Sequence, residues 1–198
     1  MSTPQPVSVR AIPGMGGKVF DFRGTGLLRP ALGGRRIRPL VMVHHIPEVH
    51  QASGTGDFRE LARILRDAGK SIQASTDGDG NVALFTHWHE LCWGQRGANF
   101  VGCGVEHMHF STAKTFSEKQ MRAAAWCANQ VWSKHNIPPH RGILLPGDGV
   151  VKVQRRGHTS HMNVSRKAGF NDRSDPGPNF DYAHLYELTK FYHQHKRF

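Results

Sequence analysis

The sequence has little cysteine. Cys92, Cys103 and Cys127 are the only three in 198 residues, and no two are spaced as a CxxC pair. A cysteine zinc cluster and a thioredoxin-type site are therefore disfavoured. The three thiols read as buried and reduced, as in a cytoplasmic protein. Long apolar runs are lacking too. Stretches such as Pro39-Leu-Val-Met-Val43 are far too short to span a bilayer. The opening, Met1-Ser-Thr-Pro-Gln-Pro6, lacks the basic-then-apolar pattern of a secretory signal. The expectation is a chain that starts in the cytoplasm or leaves it without a Sec signal. No internal repeat or low-complexity segment is present, and 198 residues suit one domain with a sizeable core.

Acidic residues are scarce: 15 Asp and Glu face 26 Lys and Arg, for a net charge of +11. An anionic partner follows, whether nucleic acid, anionic lipid or an anionic wall polymer. The cations are scattered, as at Arg35-Arg36, Arg155-Arg156, Arg166-Lys167 and Lys196-Arg197. Without a dense basic helix or an aromatic-basic stripe, a nucleic-acid reader is disfavoured. Histidine is abundant, with 14 copies, and it is the commonest metal ligand.

Along the chain, residues 1–36 are rich in Gly and Pro and read as an irregular N-terminal arm. Residues 37–198 read as the domain proper. Ile37–His45 is a β-branched apolar run that ends in two histidines, so it predicts a central strand delivering polar groups to the sheet edge. Ser53–Gly56 reads as a turn, with Asp57 capping a helix through Phe58, Leu61, Ala62, Leu65 and Ala68 and Gly69 as its stop. Ser71–Thr76 and Val82–Thr86 read as strands joined by the Asp77–Asn81 turn. That turn resembles a calcium loop, but the later acidic ligand is missing. Phe100–Phe110 alternates as a strand containing Glu106. Ser117 and Gln120 form a capping box before a helix ended by Ile137-Pro-Pro139. A last helix runs from about Phe180 to His193. The pattern predicts an α/β class: a single domain with a central, mostly covered mixed sheet flanked by helices.

The stretch from His161 to Phe180 is the chemical focus. It sets His161, Arg173 and Asp175 on what reads as one polar loop. His and Asp are good zinc ligands, and the Pro-Gly after Asp175 forces a turn that directs its carboxylate. Glu106 in its apolar strand reads equally as a structural acid or an acid/base. His87, His89, His107 and His109 alternate, and a second metal site among them is a weaker alternative to polar cleft walls.

Four pieces, VMVHH at 41–45, GCGVEH at 102–107, HMNVS at 161–165 and RSDPGPNFDY at 173–182, resemble in order the zinc-dependent N-acetylmuramoyl-L-alanine amidases of type 2. That family includes peptidoglycan recognition proteins, bacterial amidases and phage endolysins. The resemblance covers roughly residues 37–193. It implies zinc bound at one edge of the sheet by His44, His161 and Asp175, with Glu106 as the catalytic acid/base. Arg173 stands where many relatives have Lys; a guanidinium stays charged, which narrows its role to electrostatics. His158, which follows a glycine, rivals His161 as second ligand. His45, Trp93 and Asn99 are implied as substrate contacts, with His45 and His50 otherwise read as groups outside the ligand set.

The implied reaction is hydrolysis of the amide between N-acetylmuramic acid and the L-alanine of the stem peptide. The implied setting is a phage or prophage endolysin, held in the host cytoplasm until lysis and then acting on the wall. Bacterial peptidoglycan is then the partner, with no nucleic acid, no membrane insertion and a monomeric state. A non-catalytic peptidoglycan-binding module on the same fold is the alternative, and a basic nucleic-acid-binding protein is a more distant one.

Overall fold

The computed structural model describes residues 4–14, 16–47, 55–109 and 115–195. His50, Ser53 and the Lys196-Arg197 pair lie outside the described residues.

A seven-stranded mixed sheet forms the centre. Its strands are β1 (Ser8–Ala11), β2 (Lys18–Asp21), β3 (Val41–His45), β4 (Ala74–Thr76), β5 (Val82–Leu84), β6 (Gly102–His107) and β9 (Gly157–Ser160). They lie in the order β1-β2-β5-β4-β6-β3-β9. β3 runs parallel to both β6 and β9, while β4 and β5 form an antiparallel hairpin. Strands β7 (Ile143–Leu145) and β8 (Lys152–Arg155) make a separate ribbon.

Helices cover both faces. The face formed by Met42, Cys103 and Val105 packs against α2 (Glu118–His135) and α4 (Tyr182–His195), through residues such as Ala124, Ala128 and Leu185. On the other face, α1 (Thr55–Asp67) seats Phe58, Leu61 and Ala62 against Ile72, Ala83 and Phe85. Phe58 and Leu61 are essentially fully buried. Burial of each contributes roughly 1.5–3 kcal/mol relative to exposure. Val41 and Val43 meet Val164 and Ala168 beneath α3 (His161–Lys167) on the same side. The fold is thus the expected single α/β domain with a covered mixed sheet.

Local chemistry explains the boundaries. Ser117 Oγ accepts from the Gln120 amide at 3.1 Å and starts α2. Asn136 closes the helix in the left-handed region at φ 54°, before Pro138. The Asp77 carboxylate accepts from the amides of Asp79 and Asn81, which fixes the β4–β5 turn.

Three expectations are corrected. The N-terminal segment is not irregular throughout: β1 and β2 extend the sheet, and Ile12, Val19 and Phe22 are buried in it. The stretch at His161 is not a loop but the first turn of α3, with Ser160 Oγ accepting from the Asn163 amide at 3.0 Å. Thr55 and Gly56, read as turn, are already helical, so Asp57 sits inside α1 rather than capping it.

Candidate active site

Strand pairing sets the site. β3 and β6 pair so that His45 lies beside Glu106 and His44 beside Val105. Side chains alternate across a strand. The Met42 and Cys103 side of the sheet therefore receives His44 and His107. The Val43 and Gly104 side receives His45 and Glu106.

On that second side, His45, His161 and Asp175 offer ligand atoms that all lie within 4.8 Å of one another. Among the described residues they are the one such group. His161 enters from the first turn of α3. Its Nδ1 lies 3.2 Å from both oxygens of the Asp175 carboxylate. His45 Nδ1 lies 3.7 Å from Asp175 Oδ2. The Ile46 amide donates to the same oxygen at 3.2 Å, and the Met162 amide donates to the Asp175 carbonyl at 3.0 Å. A turn closed from the Gly177 amide to the Ser174 carbonyl holds the carboxylate in place; Gly177 takes φ 81°, which suits glycine.

His44 is corrected as a candidate ligand. Its Nδ1 is 2.9 Å from His107 Nε2 and its Nε2 is 2.9 Å from His158 Nδ1, so both nitrogens are engaged away from Asp175. The physical reason is parity: one residue along a strand is the opposite face. His158, the rival of His161, belongs to this second network. His107 Nδ1 extends it to Thr76 Oγ1 at 2.8 Å. His87 and His89 stack on each other, 5.4 Å between centroids, and are not joined to His107 or His109 in a metal-ligand group.

The donor set at His45, His161 and Asp175 fits zinc. The Nε2 atoms of both histidines are buried and lack a hydrogen-bond partner. Burial, then the neighbouring His161, holds His45 well below the ordinary histidine range, although Asp175 pulls the other way, so its ring is neutral and able to ligate. Burial tends to raise the Asp175 carboxyl. The His161 hydrogen bond, the two imidazoles and the Ile46 amide outweigh it, leaving Asp175 below its usual value and ionised.

Glu106 is almost completely buried beside this group, and its Oε2 has no hydrogen-bond partner. Burial first, then the Asp175 charge, pushes it up to about 8 against the pull of Arg173. Such a poise near neutrality suits a group that takes and returns a proton. Gly104 makes room. A Cβ there would meet Ile72 Cδ1 at 2.4 Å, Gln95 Nε2 at 2.6 Å and His45 Nε2 at 3.2 Å. Gln73 Oε1 accepts from the Gly104 amide at 2.8 Å and pins the strand.

The group opens into a cavity of about 660 Å³ whose wall includes Glu106, His161, Arg173, Asp175, Trp93 and Asn99. Trp93 packs edge-on against Phe100, with centroids 5.8 Å apart. Asn99 accepts from the Gln95 amide at 2.8 Å, leaving its NH₂ group for other partners. Sequence reasoning missed Lys70 and Arg96, which also line this cleft. It placed His45 outside the ligand set; pairing the second histidine of VMVHH with the glutamate of GVEH on one sheet face was the available signal.

A model of the N-acetylmuramoyl-L-alanine amidase family matches residues 34–178. Solved structures share the fold. Staphylococcus aureus hydrolase AmiA, solved with its ligand, is 18% identical, with TM-score 0.64 over 98% of this chain and 97% of its own. The N-acetylmuramoyl-L-alanine amidase LysC from Clostridium intestinale is 14% identical, with TM-score 0.62 over 87% of this chain and 97% of its own. A complex of peptidoglycan recognition proteins LCa and LCx with tracheal cytotoxin is 12% identical, with TM-score 0.56 over 86% and 94%. No curated protein sequence matches the chain.

Proposed function

The chain belongs to the N-acetylmuramoyl-L-alanine amidase family, and we propose that it works through zinc held by His45, His161 and Asp175, with Glu106 moving the proton. As a peptidoglycan amidase it hydrolyses the amide between the lactyl group of N-acetylmuramic acid and L-alanine. The observation that carries the site assignment is the convergence of His45, His161 and Asp175, whose ligand atoms all lie within 4.8 Å of one another in the interior.

When bound, zinc supplies Lewis acidity, polarising a carbonyl and acidifying water. His45, His161 and Asp175 would hold it, two imidazoles and a carboxylate being a donor set that suits hydrolytic zinc. Glu106 takes a proton from the attacking water. As the amide C–N bond breaks, it returns that proton to the nitrogen of L-alanine; the lactyl carbon keeps the hydroxyl as a carboxylic acid, whose proton then passes to the freed amine, leaving a carboxylate and an ammonium. Arg173 stays charged throughout and favours the oxyanion that forms on the scissile carbonyl. Trp93 offers an apolar wall and Asn99 an amide donor to the substrate. Burial around Glu106 excludes bulk water from the proton's path.

The wider role is a lytic one, as in phage or prophage endolysins acting as monomers. The +11 charge supports it, since the wall is anionic. Purified peptidoglycan digested by the protein tests the reaction. New L-alanine amino termini without new reducing sugars are expected; new reducing sugars instead would assign a glycosidase and overturn the reading.

A further inference from the structure

On the α4 side of the sheet, beside the edge strand β9, lies a second cavity of about 420 Å³. Arg141, His158, Tyr182 and Tyr186 are among its walls. It shares no wall residue with the catalytic cleft. His158 exposes 0% of its surface, and its Nε2 has no hydrogen-bond partner. The Tyr182 hydroxyl is likewise buried without a partner. Buried polar atoms are nearly always satisfied, so two orphans on one cavity wall point to a ligand between them.

The donor chemistry sets the sign of that ligand. Arg141 is the one charged side chain on this wall among the described residues. A bridge between Arg141 and β9 fixes it beside His158: the Gly142 amide donates to the His158 carbonyl at 2.9 Å, and the His158 amide to the His140 carbonyl at 2.7 Å. Arg155 Nη2 donates to the Arg141 carbonyl at 2.8 Å and adds positive charge. Behind His158 runs the chain His44, His107 and Thr76, with successive contacts of 2.9, 2.9 and 2.8 Å. With all three imidazoles neutral, a proton order in which Thr76 donates to His107, His107 to His44 and His44 to His158 leaves His158 Nε2–H as a donor to the cavity. An acceptor at that point selects this order along the whole chain. The walls are aromatic: Tyr186 meets His158 edge-on at 5.8 Å and Tyr182 at 6.0 Å between centroids.

We propose that this cavity is a binding site for a small carboxylate with a flat apolar body. The carboxylate accepts from Arg141, Tyr182 and His158, and the body lies against Tyr186. Benzoate is the probe, titrated calorimetrically into the zinc-loaded full chain, with benzyl alcohol as the neutral control. One benzoate binds per chain, and benzyl alcohol binds at least about tenfold more weakly, the worth of one charge-assisted hydrogen bond. Arg141→Gln and Tyr182→Phe each weaken benzoate about tenfold or more while the peptidoglycan hydrolysis rate without benzoate is unchanged. Arg141 is exposed, so its variant keeps the fold. Absence of benzoate binding at millimolar concentration overturns the proposal, since the cavity then holds water alone. Equal affinity in wild type and both variants also overturns it, by placing the benzoate elsewhere, such as at the catalytic zinc.

Discussion

His44 and His45 are adjacent in sequence, yet they serve opposite faces of the sheet. His44 is locked between His107 and His158, both at 2.9 Å, while His45 faces His161 and Asp175. Of the two, only His45 has a buried nitrogen without a partner. The difference assigns one histidine to the packing of the domain and the other to the candidate metal group.

His44→Ala is expected to retain zinc and lose stability. The substitution strands His107 Nε2 and His158 Nδ1 in the interior, each at about 1–3 kcal/mol. Zinc content and urea midpoint on one preparation check it. A stable protein that has lost its zinc would return His44 to the ligand set.

Glu106→Gln keeps the shape of the side chain but cannot accept a proton. Zinc stoichiometry should hold at the wild-type value while turnover falls by ~10²–10⁴. Substrate affinity should change little, because the loss belongs to the transition state. Near-normal turnover in a folded, zinc-replete variant would remove Glu106 from the mechanism.

Gly104→Ala adds one methyl where Ile72, Gln95 and His45 already crowd the backbone. Overpacking of this kind costs about 1–3 kcal/mol. Zinc affinity should weaken as well, since His45 is displaced. Melting temperature and zinc titration read the two effects, and an unchanged zinc affinity would show that His45 tolerates the shift.

Acid should destabilise the domain through its second histidine network. Burial pushes His107 and His158 down to about 3. Unfolded, each titrates near 6.5. Their contribution is therefore fully present above pH 6.5 and is lost as pH falls toward 3; midway through that window, unfolding takes up about two protons at these sites. Urea midpoints at pH 7 and pH 5 should differ, with the lower value at pH 5. Equal midpoints would mean these rings are solvated and charge freely.

Much of this was legible in the sequence, and the failures have physical causes. The runs VMVHH and GVEH are apolar and β-branched, so β3 and β6 stood out. The Ser117 cap and the Pro138 stop marked α2 for the same local reason. β1, β2 and β9 are four residues each, punctuated by glycine, and gain their order from neighbours far along the chain. α3 is seven residues, two turns, too short for helical periodicity to show. Which of two adjacent histidines faces the site depends on strand parity, and parity is fixed by the pairing of β3 with β6 rather than by either segment alone.

The most direct test of the central assignment is zinc per chain in matched preparations of wild type, His45→Ala, His161→Ala and Asp175→Ala, with release of L-alanine amino termini measured on the same samples. The assignment predicts about one zinc in wild type, little in each variant, and amino-terminal release that follows zinc content. A His45→Ala protein that holds a full zinc and still releases L-alanine termini would contradict it.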